Sequence, residues 1–313
     1  MNAQEKLREI RPGDENFPVI FSKLSSDSKP PNAIFARDSL GDDVFREIFS
    51  APSVAIVGSR KPTDYGKRIT LELSRKLAEN GITVISGLAL GHDALAHRGC
   101  MDGGGKTIAV LGTPIDRLYP ARNLNLAKEI LAGGGAIIGE IQAGAEAGKD
   151  WHARTSFLAR NRIISALADV VIVVEANMKS GSLSTARHAK KQGRAVMAIP
   201  GNITSPLSAG TNKLLAEGAK ICLGAEDVLD VFREFFPEKS HGFPKKSAKK
   251  RKKSTAKTVK KDDSVPSRIL AELSRNSLST DELLRKIPES NAFLTLLEIE
   301  GEIAKNGDLW QIL

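Results

Sequence analysis

Two short stretches hold residues whose types and spacing suit the recognition of a phosphate chain. The first is the turn Gly58-Ser59-Arg60-Lys61. Small residues there let an anion approach the backbone, a hydroxyl can donate to it, and a guanidinium can hold it. The second is Lys149–Arg162, KDWHARTSFLARNR, in which cations alternate with rings: Lys149, Trp151, Arg154, Phe157, Arg160 and Arg162. In a helix beginning near Thr155, Phe157, Arg160 and Asn161 share a face, with Arg154 one turn earlier. A base stacked on Phe157 with guanidiniums on flanking phosphates is single-strand chemistry, each stack contributing about 1–3 kcal/mol. The alternative puts Phe157 in the core and the arginines on a solvated or ion-paired face. The stretch by itself does not choose.

Two more loops have the same small, hydroxyl-rich character: Gly112-Thr113 and Ser180-Gly181-Ser182. Each alone is ordinary turn chemistry. Three of them on one edge of a parallel sheet, one with an arginine, point to an anion site. Catalytic alternatives are thinner. His92 and His97 are spaced i, i+5 and share no helical face, so no metal site is expected. Glu140 and Glu175 close candidate strands and could act as acid or base, but the plainer reading has them cap helices or hold an arginine such as Arg160. The chain contains no GxSxG, Walker A or GxGxxG motif.

These residues need a frame that brings strand ends together. Apolar runs at Ser53–Gly58, Ile82–Ser86, Lys106–Leu111, Ala136–Ile141, Asp169–Glu175, Ala195–Pro200 and Ala219–Cys222 alternate with helical patterns. Continuous apolar strands joined by helical crossovers predict an α/β, doubly wound parallel sheet over residues 51–236. The first of these strands leads through Arg60 into a helix, so helix starts near Ser59 and Ser180 are expected to aim free N–H groups at an anion. Residues 1–50, with Pro12, Pro18, Pro30 and Pro31, read as an irregular arm packed on that domain.

Charge is unevenly distributed. The net charge is +9, yet residues 239–261 hold 11 Lys/Arg and no acid, while 262–313 carry a net −5. The basicity thus belongs to a low-complexity linker over 237–265, a solvated tether or a nonspecific DNA-contacting arm. Residues 266–313 read as three helices and a terminal strand, a winged-helix-like module. Its third helix, about Asn291–Lys305, carries Glu298, Glu300 and Glu302 against Lys305, which suits a protein contact better than duplex DNA. Two cysteines without CxxC spacing fit a reducing cytosol. The charged N-terminus lacks a signal-peptide core, and no apolar run of about 18 residues suggests a membrane span.

The runs VAIVGSRKPTDYG, SGLALGHDALAHRG, TIAVLGTPIDRLYPARN and FLARNRIISALADVVIVVEANMKSGSLSTARHAKKQGRAVMAIPGNITSPLSAGTNKLLAEGAK together resemble the DNA processing protein A (DprA, also called Smf) family over about residues 50–230. The resemblance implies an extended Rossmann-like domain that binds single-stranded DNA without turnover or cofactor. It also implies a cytoplasmic homodimer that helps load the recombinase RecA in natural transformation. It assigns Gly58, Ser59 and Arg60 to the family's GSR turn, and Gly112-Thr113 to a position usually Gly-Ser. Arg154 and Phe157 fall at a basic and an aromatic position of the DNA pocket, followed by Arg160, Asn161 and Arg162. Departures occur at SGLALGHD and IQAGAEAGKD, and no stretch resembles the family's sterile-α-motif-like N-terminal domain.

The expected site is therefore Gly58, Ser59, Arg60, Lys61, Gly112, Thr113, Arg154, Phe157, Arg160, Asn161, Arg162, Ser180, Gly181 and Ser182, with all four arginines on phosphates. One rival is a Rossmann-like enzyme or sensor hydrolysing a nucleoside monophosphate, although the PGGxGTxxE loop of such relatives is missing. Another makes the winged helix the DNA binder and the large domain a scaffold.

Overall fold

Strands that are apolar throughout pack only where both faces are covered, and this requirement organises the chain. The computed structural model describes residues 5–22, 24, 28, 30–145, 153–244, 264–299 and 302–312. Contacts divide it into two compact units, Met1–Lys245 and Lys246–Leu313. The strands of the first unit are β1 (Lys6–Ile10), β2 (Ile34–Asp38), β3 (Ser53–Val57), β4 (Thr83–Ser86), β5 (Thr107–Leu111), β6 (Ala136–Gly139), β7 (Val170–Val173), β8 (Ala195–Ala198) and β9 (Lys220–Ile221). They form one sheet in the order β1-β2-β6-β5-β4-β3-β7-β8-β9. From β6 through β9 every pairing is parallel. The chain winds outward from β3 in one direction, then crosses back to β7 and winds the other way. The switch point lies between β3 and β7.

The helices of this unit are α1 (Val19–Ser22), α2 (Asp42–Ser50), α3 (Asp64–Glu79), α4 (His92–Asp102), α5 (Leu124–Ala132), α6 (Ala153–Leu167), α7 (Ser182–Lys191), α8 (Ala209–Ala216) and α9 (Ala225–Phe235). Strand residues divide between clusters on the two sheet faces. Ala55, Val57, Val171 and Val173 pack with Ile163 and Ile164 of α6, while Val54, Ile56, Val170 and Ile172 pack with Leu73 and Leu77 of α3.

The N-terminal stretch is a correction. Two regular strands run through it: β1 pairs antiparallel with β2, and β2 antiparallel with β6. Lys6, Arg8 and Glu9 disguise β1 as a polar segment. An edge strand tolerates such charges, and Arg8 binds the buried Asp38 (2.7 Å) across the ladder. The linker reading is also shortened. Residues 237–244 fold back on the large unit, with Phe243 edge-on to Phe232 (5.6 Å) and Lys239 paired to buried Asp169 (2.8 Å). The lysine tract from 245 to 261 lies outside the described residues.

In the second unit α10 (Val265–Leu273), α11 (Thr280–Lys286) and α12 (Asn291–Ile299) pack with β10 (Leu278–Ser279), β11 (Ile303–Asn306) and β12 (Leu309–Ile312) in a winged-helix-like arrangement. Ser279 and Glu282 form a reciprocal capping box on α11. The third helix ends at Ile299, not near Lys305. Asn306-Gly307 is a hairpin signal here, with Gly307 at φ 63° in a two-residue loop between paired β11 and β12. Glu302 and Lys305 therefore lie beyond the helix, and Glu298 is its one charged side chain.

His92 and His97 of α4 are buried scaffold groups. His92 contacts Glu175 (3.0 Å) and Thr70 (2.7 Å), and His97 contacts Thr107 (2.7 Å). Burial pushes the His97 imidazole down to about 3, so folding favours its neutral form. Its contribution is complete above the ordinary value near 6.5 and is lost as pH falls toward 3. Between pH 7 and pH 5 this one group removes about 2 kcal/mol of stability. Urea midpoints at the two pH values measure the drop, and His97→Leu should flatten it. An equally steep pH dependence in the variant would assign the effect elsewhere.

Candidate functional site

Three of the fourteen expected residues, Arg60, Gly112 and Phe157, come together at a cleft on the carboxyl edge of β3, β4 and β5. It is lined by Arg60, Gly87, Ala89, Leu90, Tyr119, Pro120, Phe157 and Arg160. Phe157, in the second turn of α6, rests on Gly112. A Cβ at residue 112 would come 2.7 Å from the ring, so the absent side chain makes the seat. Ser156 donates to the Gly112 carbonyl and pins α6 to the same turn. The Arg60 guanidinium lies over the Phe157 ring at 5.6 Å, within cation–π range. Arg60 is exposed and has no ion-pair partner among the described residues.

Tyr119 stacks beside Phe157, centroids 5.4 Å apart with planes 26° from parallel, and is 51% exposed. Residue-pattern reasoning missed it. The available signal was one of only two tyrosines in the chain, six residues after Thr113 on the same sheet edge. The cleft volume is ≈ 40 Å³. The aromatic rim offers a flat face across which a base can lie.

Two expected phosphate ligands are corrected. Arg160 is 7% exposed and turns inward, donating to the carbonyls of Gly87 (2.7 Å) and Val110. Burial pushes its guanidinium down to about 10, opposed by Asp93 and reinforced by Arg60. It braces the ends of β4 and β5 and lends positive potential to the cleft floor without reaching out. Gly87 is required, because a Cβ there would meet the guanidinium at 2.5 Å. Arg162 forms a forked pair with Glu140 (2.6 Å) and is 15% exposed. Glu140 thus holds Arg162, where Arg160 was expected.

The helix-start donors are corrected as well. Helix α3 begins at Asp64, where Thr63 Oγ1 accepts from Gly66 N–H (3.0 Å). Glu175 accepts from Thr63 N–H (2.9 Å) and from its hydroxyl, and also contacts His92. A carboxylate already occupies the positive end. Ser59 N–H donates to the Glu175 carbonyl (2.8 Å), and Ser59 Oγ accepts from Lys61 N–H (3.1 Å). In the 180–182 loop the two serine hydroxyls bond each other (2.7 Å). Asn161, buried, donates to the Gly181 carbonyl and to Ser184 Oγ (2.9 Å), tying α7 to α6.

The remaining expected residues are peripheral or lie beyond description. Thr113 donates to the Arg117 carbonyl (2.6 Å), Gly58 packs against His92, and Lys61 is exposed. Arg154 belongs to the first turn of α6, with its side chain outside the described residues, as are Lys149 and Trp151.

Gly112→Ala should push Phe157 off its seat and leave the buried strand β5 intact. Expected is a severalfold loss of whatever ligand stacks there, with less than about 2 kcal/mol change in stability. Ligand titration and urea denaturation of the same sample measure both. A variant that binds as the parent does would mean the ring's seat is unimportant.

Comparison with known proteins extends the geometry. The chain matches the family model described as DNA recombination-mediator protein A over residues 8–233. It is 37% identical to Protein Smf of Synechocystis over 228 residues, 73% of this chain and 54% of that protein, so it spans about half the length of this curated relative. Among solved structures it is similar to DNA processing protein A from Streptococcus pneumoniae, with TM-score 0.63, 37% identity, and coverage of 72% of this chain and 74% of that one. It is also similar to DNA processing protein A from Helicobacter pylori, a structure described for its single-stranded DNA binding mode. There the TM-score is 0.61, identity 33%, and coverage 75% of this chain and 99% of that one. With one strand order, one set of motifs and one family profile running through most of its length, the chain belongs to the DNA recombination-mediator protein A family.

Proposed function

We propose that this protein binds single-stranded DNA across the cleft at the carboxyl edge of β3, β4 and β5 and acts in DNA processing. The observation that carries the reading is an exposed, unpaired Arg60 guanidinium over a seated Phe157 ring, with Tyr119 alongside. A flat aromatic rim accepts any base, and a free guanidinium beside it accepts a phosphate. In this reading Arg60, Lys61 and Arg154 contact phosphates, and Phe157 with Tyr119 stacks a base. Arg160 supplies charge from below. Gly58, Ser59, Gly112, Thr113, Asn161, Arg162 and residues 180–182 shape the walls.

Binding without turnover is favoured because Glu175, the carboxylate that a nucleotide-hydrolysing rival would use, is buried against Thr63 and His92, and Glu140 pairs with Arg162. Cytoplasmic location, a homodimer and delivery of strands to the recombinase RecA belong to the same proposal. They rest on the family. No helix among the described residues is long and apolar enough to cross a membrane.

The deciding experiment is a salt titration of single- and double-stranded oligonucleotides against the full chain, the chain lacking 245–261, and the chain ending at 261. Expected is single-strand preference in all three, with a negative slope in log K against log salt. Single-strand binding lost with residues 262–313 would favour the winged helix as the binder. Released base or phosphate from incubated nucleoside monophosphates would favour the enzyme.

A further inference from the structure

Phe157 and Leu158 are neighbours on α6, but they serve different surfaces. Phe157 faces the cleft, while Leu158 is exposed and borders a second cavity of ≈ 250 Å³ with Ser184, Arg187, His188 and Lys191. That volume approaches the lower bound of about 300 Å³ for small-ligand pockets. The four α7 residues are spaced i, i+3, i+4 and i+7, so they form one stripe along the helix, about 10 Å from end to end. The stripe begins beside the exposed Gly181, next to Leu158, where Asn161 ties α7 to α6.

The stripe is cationic and unneutralised. Arg187 and Lys191 are exposed and make no ion pair among the described residues, whereas Lys190, off the stripe, reaches Glu217 (3.8 Å). Arg162 adds a further positive charge nearby, balanced by Glu140. Cations in the last turn of a helix complement its dipole, which accounts for Lys191. Arg187 lies a turn earlier, where that effect has faded.

We propose that the α7 stripe is a second phosphate subsite, which receives the backbone of a single strand after it leaves the aromatic cleft over Leu158. The inference rests on the cleft reading above and adds to it a path and a footprint. Bases stack at Phe157, and the following phosphates settle along Arg187 and Lys191. The cavity beside Leu158 takes the intervening nucleotide. The binding site is then longer than the cleft, and the strand's direction is set by the order of the two subsites.

The test is the full-length double variant Arg187→Gln/Lys191→Gln. Glutamine keeps helix propensity, so α7 should persist by circular dichroism. Fluorescence anisotropy with a short oligothymidylate that fills only the cleft and a longer one that reaches α7 reads the outcome. Expected is about tenfold weaker binding of the long strand, a log–log salt slope shallower by about 1.4, and no change for the short strand. Phe157→Ala, run alongside, should weaken both. An unchanged long-strand affinity with Phe157→Ala still impaired would overturn the subsite and leave the cleft standing. Equal losses on both lengths would also overturn it. If Phe157→Ala binds normally, the cleft reading itself fails. Inorganic phosphate and thymidine monophosphate form the last arm: binding of either that the double variant abolishes, with long-strand affinity intact, would make the stripe a small-anion site and overturn the strand path.

Discussion

Replacing Phe157 with alanine is expected to weaken single-strand binding about fivefold to a hundredfold at fixed salt, the range set by one lost stack of about 1–3 kcal/mol. Phe157→Leu keeps much of the packing on Gly112 but removes the π face, and should lose nearly as much. Neither change removes a phosphate contact, so the salt slope should stay as in the parent. Arg60→Ala should behave differently. It takes away an exposed guanidinium with no acid partner among the described residues, so the affinity falls and the slope shallows by about 0.7 for one lost contact on a single strand. Two variants at one cleft, separated by their salt signatures, distinguish stacking from ion pairing. Parent-like affinity in both would exclude the cleft as the binding site.

Arg160→Met should unfold the protein most easily. Its guanidinium donates to the carbonyls of Gly87 and Val110 and faces Asp93, whose carboxyl is raised by burial and held down by that same arginine. Removing one member of a buried charged arrangement leaves the other uncompensated, at a cost of about 3–5 kcal/mol. Asp93 Oδ2 would still accept from Gly87 N–H (3.1 Å), but inside an apolar surround. Lysine should rescue in part, since one ammonium can donate to both carbonyls, as Nη1 does, but cannot also supply the Nε donor that reaches Asn161 Oδ1 (3.3 Å). Arg160→Met/Asp93→Asn should recover part of the loss. Urea denaturation measures the series, and a loss below about 1 kcal/mol for Arg160→Met would show that the brace is dispensable.

The two sets of expectations explain why arginines close together in sequence differ so much. Arg160 and Arg162 fall in the same short run, yet one braces strand ends and the other pairs with Glu140. Arg60, from a turn a hundred residues earlier, is the guanidinium that remains open over the ring. A cation's neighbours along the chain do not reveal whether its charge is already matched.

Much of the frame was legible from residue patterns. Strands β3 to β9 were expected near their observed positions, because a segment apolar on both faces has no stable place except inside a covered sheet. The carboxyl edge followed from the crossover rule, and Arg60 and Phe157 stood out by type and spacing. The charges of β1 hide an edge strand, and β11 lies where the third helix is expected to run on to Lys305. Tertiary structure alone decided which polar groups remain available. The carbonyls that hold Arg160 come from 73 and 50 residues away, the carboxylate that holds Arg162 from 22, and the ring beside Phe157 from another loop. Periodicity reports how a segment packs against the core. Whether a guanidinium is free depends on acceptors that folding brings from elsewhere, and no local pattern contains them.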